Sequence, residues 1–161
     1  MVMKRKVLHK ILLFTFFFLL LVSAVVSLGE ARISAALIGG KELQSPGDWI
    51  KEEQIKVYKD RVVIDINDAS WAGFTDTNSM DPFIDKNTNA IEISPKDPQS
   101  INVGDVISYQ TEKGVIIHRV IDKGRDKLGV YYLVKGDNNN FSDPFKVRFE
   151  NVKGVVVAVI Y

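Results

Sequence analysis

Two hydrophobic patterns divide the chain. Residues 11–29, ILLFTFFFLLLVSAVVSLG, form an apolar run without a charge. As a helix this run extends roughly 28 Å, close to the roughly 30 Å of a bilayer core. Ala31 to Leu37 can continue that helix, Gly39-Gly40 would end it, and Pro46-Gly47 marks a turn. Asp48 is placed to cap a short helical turn over Trp49 to Gln54. Beyond it the period falls to two. Ile55–Tyr58 and Arg61–Ile66 read as strands joined near Lys59-Asp60, and their β-branched content agrees. Residues 67–90 are rich in Asn, Asp, Thr and Ser and read as a loop, with Ser79 near its centre. Further strands are expected over Ala90–Ile93, Gly104–Tyr109, Val115–Ile121, Val130–Val134, Phe145–Phe149 and Val152–Ile160. The pattern predicts an all-β, mostly antiparallel domain with a barrel-like option, and no long amphipathic helix after the apolar run.

Composition narrows the chemistry. The 161 residues suffice for one ordinary globular domain, and 46% hydrophobic content supplies a core. The net charge of +1 lacks the basic excess of a nucleic-acid binder, so no nucleic-acid partner is expected. The absence of cysteine excludes disulfides, thiolate zinc sites, iron–sulfur clusters and cysteine nucleophiles. His9 and His118 are the two histidines, too few for a multi-histidine metal centre. A calcium loop beginning at Asp137 would want Gly at 142 and Glu at 148, where Ser142 and Arg148 stand. No cofactor and no metal are therefore expected.

Charge placement orients the apolar run. Lys4, Arg5, Lys6 and Lys10 precede it, which by the positive-inside rule leaves the amino terminus in the cytoplasm and puts residues 31–161 outside. A cleaved secretory signal is the alternative, since Ser23, Ala24, Ser34, Ala35 and Ala36 offer small residues for cleavage; the run exceeds the usual length of a signal core. An uncleaved anchor is the expectation.

Candidate chemistry gathers in three segments. On period two, His118 shares a strand face with Ile116 and Val120, where partial burial would keep the imidazole neutral, as a general base requires. A satisfied structural histidine fits the same position. Ser79 lies in Thr75-Asp-Thr-Asn-Ser-Met-Asp-Pro82, a nucleophile candidate in a segment that equally reads as a capped polar turn, with Met80 as an apolar pin onto the sheet. Lys135-Gly-Asp-Asn-Asn-Asn-Phe-Ser-Asp-Pro144 follows a strand directly. Asp137 or Asp143 can fix a histidine tautomer by accepting its ring N–H, or either can belong to a solvated turn.

The anchor, Asn78-Ser79-Met80-Asp81-Pro82, Gly104-Asp105-Val106-Ile107, Ile117-His118-Arg119-Val120-Ile121 and Lys135-Gly136-Asp137-Asn138-Asn139 occur in that order. This ordered set resembles the boxes of type I signal peptidases, in the archaeal and endoplasmic-reticulum variant with histidine as base. The resemblance covers roughly residues 74–160 and the preceding anchor. It implies a signal-peptidase-like β domain that removes amino-terminal signal peptides from exported preproteins by acyl-enzyme chemistry. It makes Ser79 the nucleophile and His118 the base, matches Asp143 to an essential aspartate, and matches Asp137 to a second functional aspartate. Ser79 N–H and Thr77 become the oxyanion donors. It further implies a cytoplasmic tail over 1–10, a transmembrane anchor over 11–29, a juxtamembrane connector over 30–47 and an extracytoplasmic β peptidase domain over 48–161. The location implied is a cell membrane or endoplasmic-reticulum-type membrane, crossed once. The implied partners are signal-peptide-bearing preproteins, the lipid bilayer and additional membrane subunits. A catalytically inactive membrane-anchored relative, retained for binding or assembly, is the alternative.

Two departures from the pattern bear on the site. Asn78 precedes the serine where a smaller residue is usual, and it suits the left-handed conformation that glycine would take. Residues 48–66 lengthen the link before Ser79 and are expected to form extra strands. Asn140-Phe-Ser142 satisfies the N-glycosylation triplet and is expected to be unoccupied, because a glycan there would crowd Asp143.

Overall fold

The computed structural model describes residues 13–21, 23 and 43–161. The chain divides into two compact units, Met1–Glu42 and Leu43–Tyr161. In the first, residues 13–21 and 23 are helical and exposed. Among the described residues no helix is long and apolar enough to cross a membrane. That finding overturns the expected transmembrane helix, the single-pass membrane location with a cytoplasmic amino terminus, and the lipid bilayer as a partner. The length argument rested on an unbroken helix over 11–29, and only part of that run is described as helical. The expected tail over 1–10, the remainder of the anchor and most of the connector lie outside the described residues.

The second unit is antiparallel β. Its nine strands, among the described residues, are β1 (Ile55–Val57), β2 (Val62–Ile64), β3 (Ala69–Gly73), β4 (Asn89–Ile93), β5 (Val106–Thr111), β6 (Gly114–Asp126), β7 (Gly129–Lys135), β8 (Val147–Arg148) and β9 (Val152–Ile160). β1 and β2 form a separate hairpin, Ile55 opposite Ile64. The other seven strands form one sheet in the order β3-β4-β9-β5-β6-β7-β8. The sheet has two edge strands, β3 and β8, so its hydrogen-bonded order is open rather than a closed barrel.

Alternation explains why the central strands read as continuous apolar runs. Val106 of β5 and Val156 of β9 enter one core cluster with Met80, Ile84 and Ala90. Their neighbours Ile107 and Val155 enter another with Tyr109, Val120, Tyr132 and Val134. Successive side chains leave a strand on opposite faces, so both faces of this part of the sheet are covered. Loop residues Met80 and Ile84 enter the first cluster, while Val120, Tyr132 and Val134 of β6 and β7 fill much of the second.

Three elements differ from the sequence pattern. β3 falls within the segment read as loop, because around Trp71 its Ala, Ser and Gly residues are small and none is β-branched. β6 runs well past Ile121, with a pairing irregularity between Val120 and Asp122 that carries the strand on through polar residues to Asp126. The helical turn expected over Trp49 to Gln54 is a single 3-10 turn, Glu52–Gln54, whose start is closed by Gln54 Oε1 accepting from the Lys51 N–H at 3.0 Å.

Residues 43–47 pack onto the domain. The Gly47 N–H donates to Asp105 Oδ1 at 2.7 Å, and the Asn102 N–H donates to Oδ2 at 2.8 Å. Between them Gly104 has φ +102°, and a Cβ there would lie 2.2 Å from the Ser45 carbonyl oxygen. Both the backbone angle and the contact demand glycine. Gly104→Ala is expected to lower the unfolding free energy of the full chain by about 2 kcal/mol or more. Urea unfolding followed by circular dichroism checks this, and an unchanged midpoint would contradict it.

Candidate functional site

His118 reaches the site from β6, opposite Ile107 of β5. Its neighbours Ile116 and Val120 share its face and pack with the Tyr109 cluster, so the ring is 6% exposed. Asp143 arrives from the far side of a tight loop. Its N–H donates to the Val134 carbonyl at 2.9 Å, which closes residues 135–142 against the end of β7. Asp143 Oδ1 then lies 2.9 Å from His118 Nδ1. Tyr109 Oη donates to Asp143 Oδ2 in a short hydrogen bond and sits 3.3 Å from Nδ1.

The electrostatics fix the tautomer. Burial alone would raise the Asp143 carboxyl, but hydrogen bonds from His118 and Tyr109 and the imidazole charge outweigh it and hold it below the ordinary carboxylate range. Burial first, then the hydrogen bond and charge of Asp143, push the Tyr109 phenol far above its usual range, so it stays a neutral donor. An ionised Asp143 can only accept, so Nδ1 carries a proton and Nε2 is the nitrogen available as acceptor in the neutral ring.

Ser79 is positioned by a second set of contacts. Asn78 before it has φ 54°, the left-handed conformation its side chain suits. Met80 after it is 2% exposed and is packed with Ile84, Ala90, Val106 and Val156, which pins the loop to the sheet. Residues 136–138 grip the loop from outside. The Asn138 N–H donates to the Ser79 carbonyl at 3.0 Å, and Asn138 Nδ2 donates to the Asn78 carbonyl at 3.0 Å. A Cβ on Gly136 would lie 2.5 Å from the Ser79 carbonyl oxygen. The Ser79 and Thr77 hydroxyls are 3.4 Å apart.

Ser79, Thr77 and His118 line one cavity of about 410 Å³, together with Asn139, Glu92, Ser108 and apolar side chains that include Phe74, Met80 and Ile117. Asp143 lines a different opening, of about 870 Å³, which also borders His118 and Tyr109. The imidazole therefore stands between two cavities, with Asp143 on one side and Ser79 on the other.

Asp137 has another partner. Arg119 grips it through Nε–Oδ1 at 2.8 Å and Nη2–Oδ2 at 2.6 Å, while Nη1 donates to the Gly104 carbonyl at 2.8 Å. Both side chains are about nine-tenths buried. Asp137 therefore belongs to a buried ion pair that locks the 136–138 turn to β6, whereas the histidine is held by Asp143. The pattern missed Tyr109. Its signal was present: a tyrosine in a core strand needs a partner for its hydroxyl.

No family model matches the chain, and no solved structure matches it. Over 44 residues it is 43% identical to an uncharacterized protein of Methanocaldococcus jannaschii, covering 27% of this chain and 22% of the relative. The chain thus spans well under two thirds of that relative's length. These findings overturn the assignment to type I signal peptidases, together with the signal-peptidase-like label on the fold. The quoted boxes were short, and the expected membrane anchor that accompanied them is not supported.

Two tests separate the roles of these groups. Tyr109→Phe leaves a buried carboxylate oxygen without its donor and is expected to cost about 1–3 kcal/mol at neutral pH, read by urea unfolding. Because the folded Asp143 carboxyl is held low, its contribution is present above the ordinary value of 3.8 and lost as pH falls through the lower folded value. The stability advantage over Asp143→Asn should shrink accordingly on acidification. Asp137→Ala strands Arg119 in the interior and should cost about 3–5 kcal/mol, with part recovered in Asp137→Ala/Arg119→Met. An Asp137→Ala midpoint within experimental error of the parent would remove the ion pair as a structural element.

Proposed function

We propose that the β domain is a serine endopeptidase working by acyl-enzyme chemistry. The observation that carries the reading is the His118–Asp143 pair at 2.9 Å, with the imidazole lining the cavity that also holds Ser79. In this mechanism His118 Nε2 accepts the proton as Ser79 Oγ attacks the scissile carbonyl. Charge then develops on the carbonyl oxygen. The Ser79 N–H and the Thr77 hydroxyl are the donors assigned to it, and one such donor contributes about 3 kcal/mol in comparable sites. The protonated imidazole returns its proton to the leaving amine. Water, deprotonated by the same nitrogen, clears the acyl-enzyme.

A peptide substrate is supported by the sheet edge. β3 pairs with β4 on one side only in the described sheet, and Ala72 and Gly73 of that edge strand line the Ser79 cavity. An extended peptide can hydrogen-bond to such an edge, and small side chains leave room for its backbone. Removal of signal peptides is retained only as one reaction to assay.

The test uses purified full-length protein, a fluorophosphonate probe and a peptide pool that includes a signal-sequence substrate. Ser79 should become covalently labelled, and Ser79→Ala should abolish labelling and cleavage. His118→Ala should reduce turnover by about 10⁴-fold or more while the circular dichroism spectrum is retained. Cleavage that survives Ser79→Ala would remove the serine as nucleophile. A folded protein that binds peptides but neither labels nor cleaves them would transfer the domain to a binding role.

A further inference from the structure

The Ser79 cavity contains an acid that the acyl-transfer chemistry does not use. Glu92 lies on β4, yet its side chain meets Ser108 of β5 across the intervening strand β9, with Ser108 Oγ donating to Oε2 at 3.0 Å. It crosses β9 over Gly154. A Cβ on Gly154 would stand 2.9 Å from both Glu92 Cβ and Oε2, so any larger residue would block the crossing. Glu92 is 7% exposed and Ser108 4% exposed. Glu92 Oε1 is buried and has no hydrogen-bond partner.

This arrangement is costly as mere packing. A buried carboxyl with one unsatisfied oxygen is unfavourable, and an apolar side chain would fill the same space without that penalty. Burial pushes the Glu92 carboxyl above the ordinary range, and the Ser108 hydrogen bond only partly opposes it. The missing element is a donor, preferably one with a positive charge. Met80, Ile84 and Ile117 in the same cavity wall suit a hydrocarbon stem. An apolar sleeve ending in a carboxylate fits a primary alkylammonium. A guanidinium fits less well, because its five donors exceed the three oxygens that Glu92 and Ser108 present.

We propose that Glu92, assisted by Ser108, is a specificity-determining residue that receives the ammonium of a substrate lysine flanking the scissile bond. The assignment to a substrate rests on the endopeptidase reading; the ammonium site itself does not. Binding requires a shift that brings Oε1 to the cavity surface, and the ammonium supplies the countercharge that burial withholds.

The ammonium site is tested without catalysis. Full-length Ser79→Ala protein is titrated with n-butylammonium and separately with n-butanol, and the backbone amides of Glu92 and Ser108 are followed by NMR. Butylammonium should bind about tenfold or more tightly than the alcohol, the scale of a charge-assisted hydrogen bond. Glu92→Gln should erase the difference while keeping the fold. In parallel, wild-type protein digests a random peptide pool, and the cuts should be enriched in flanking lysine by about tenfold or more over norleucine. That enrichment should vanish in Glu92→Gln. Equal binding of the two small molecules, or an ammonium preference that survives Glu92→Gln, overturns the site. Cleavage with fluorophosphonate-labelled Ser79 but no lysine enrichment overturns the substrate assignment and leaves the peptidase reading intact. Selective ammonium binding without Ser79 labelling keeps the site and removes the peptidase.

Discussion

The candidate site depends on the close approach of Gly136 to the Ser79 carbonyl, where a single added carbon would intrude to 2.5 Å. A loop carrying a reactive hydroxyl has little intrinsic reason to hold one geometry, because its backbone groups can all be satisfied by water. Here the 136–138 turn satisfies two of them, at Asn78 and Ser79. That turn is itself fixed by the buried Arg119–Asp137 pair. Arg119 stands next to His118 on β6, so adjacent residues of one strand serve the two halves of the site. Arg119 steadies the serine loop and His118 carries the imidazole.

This division follows from the pleat. Successive residues point to opposite faces, and each face has its own core. His118 shares a face with the Tyr109 cluster, while Met80 carries the serine loop into the Val106 cluster. The segment that joins the faces is the loop after β7. Its beginning grips Ser79, and its end returns to place Asp143 beside the imidazole. One short loop thereby sets both the serine and the carboxylate, which explains why Gly136, Asp137 and Asp143 crowd into so few residues.

The sequence made some of this legible and hid the rest for identifiable reasons. The β character of 55–66 and of the segments after 89 was readable, because β-branched residues alternate there. β3 was hidden because, Trp71 apart, its side chains are small and none is β-branched. Asn78 in the left-handed region and Met80 as a core pin were readable from residue type alone. The choice between Asp137 and Asp143 was not, since two aspartates on one loop are equivalent until the pairing of Arg119 is known. Tyr109 and Glu92 escaped for a related reason. Tyr109 bonds Asp143 in a loop 34 residues on, and Glu92 meets Ser108 across β9, contacts that no local spacing encodes. The family resemblance and the membrane anchor failed differently. Short ordered boxes and an apolar run are weak evidence when each is used to strengthen the other.

The two carboxyls of the candidate site illustrate how surroundings assign roles to one functional group. Asp143 is surrounded by donors and is held ionised, which keeps the imidazole proton on Nδ1. Glu92 has one donor and an apolar enclosure, so its environment disfavours the charge. A pair of acids driven in opposite directions is a recurrent property of working sites, because each state suits a different task. Asp143 is complete within the protein: its partners are present and its geometry is closed. Glu92 is incomplete, and Gly154 preserves the path that leaves it so. A fold that clears a strand crossing for an unsatisfied acid has left a position for a group it does not itself contain.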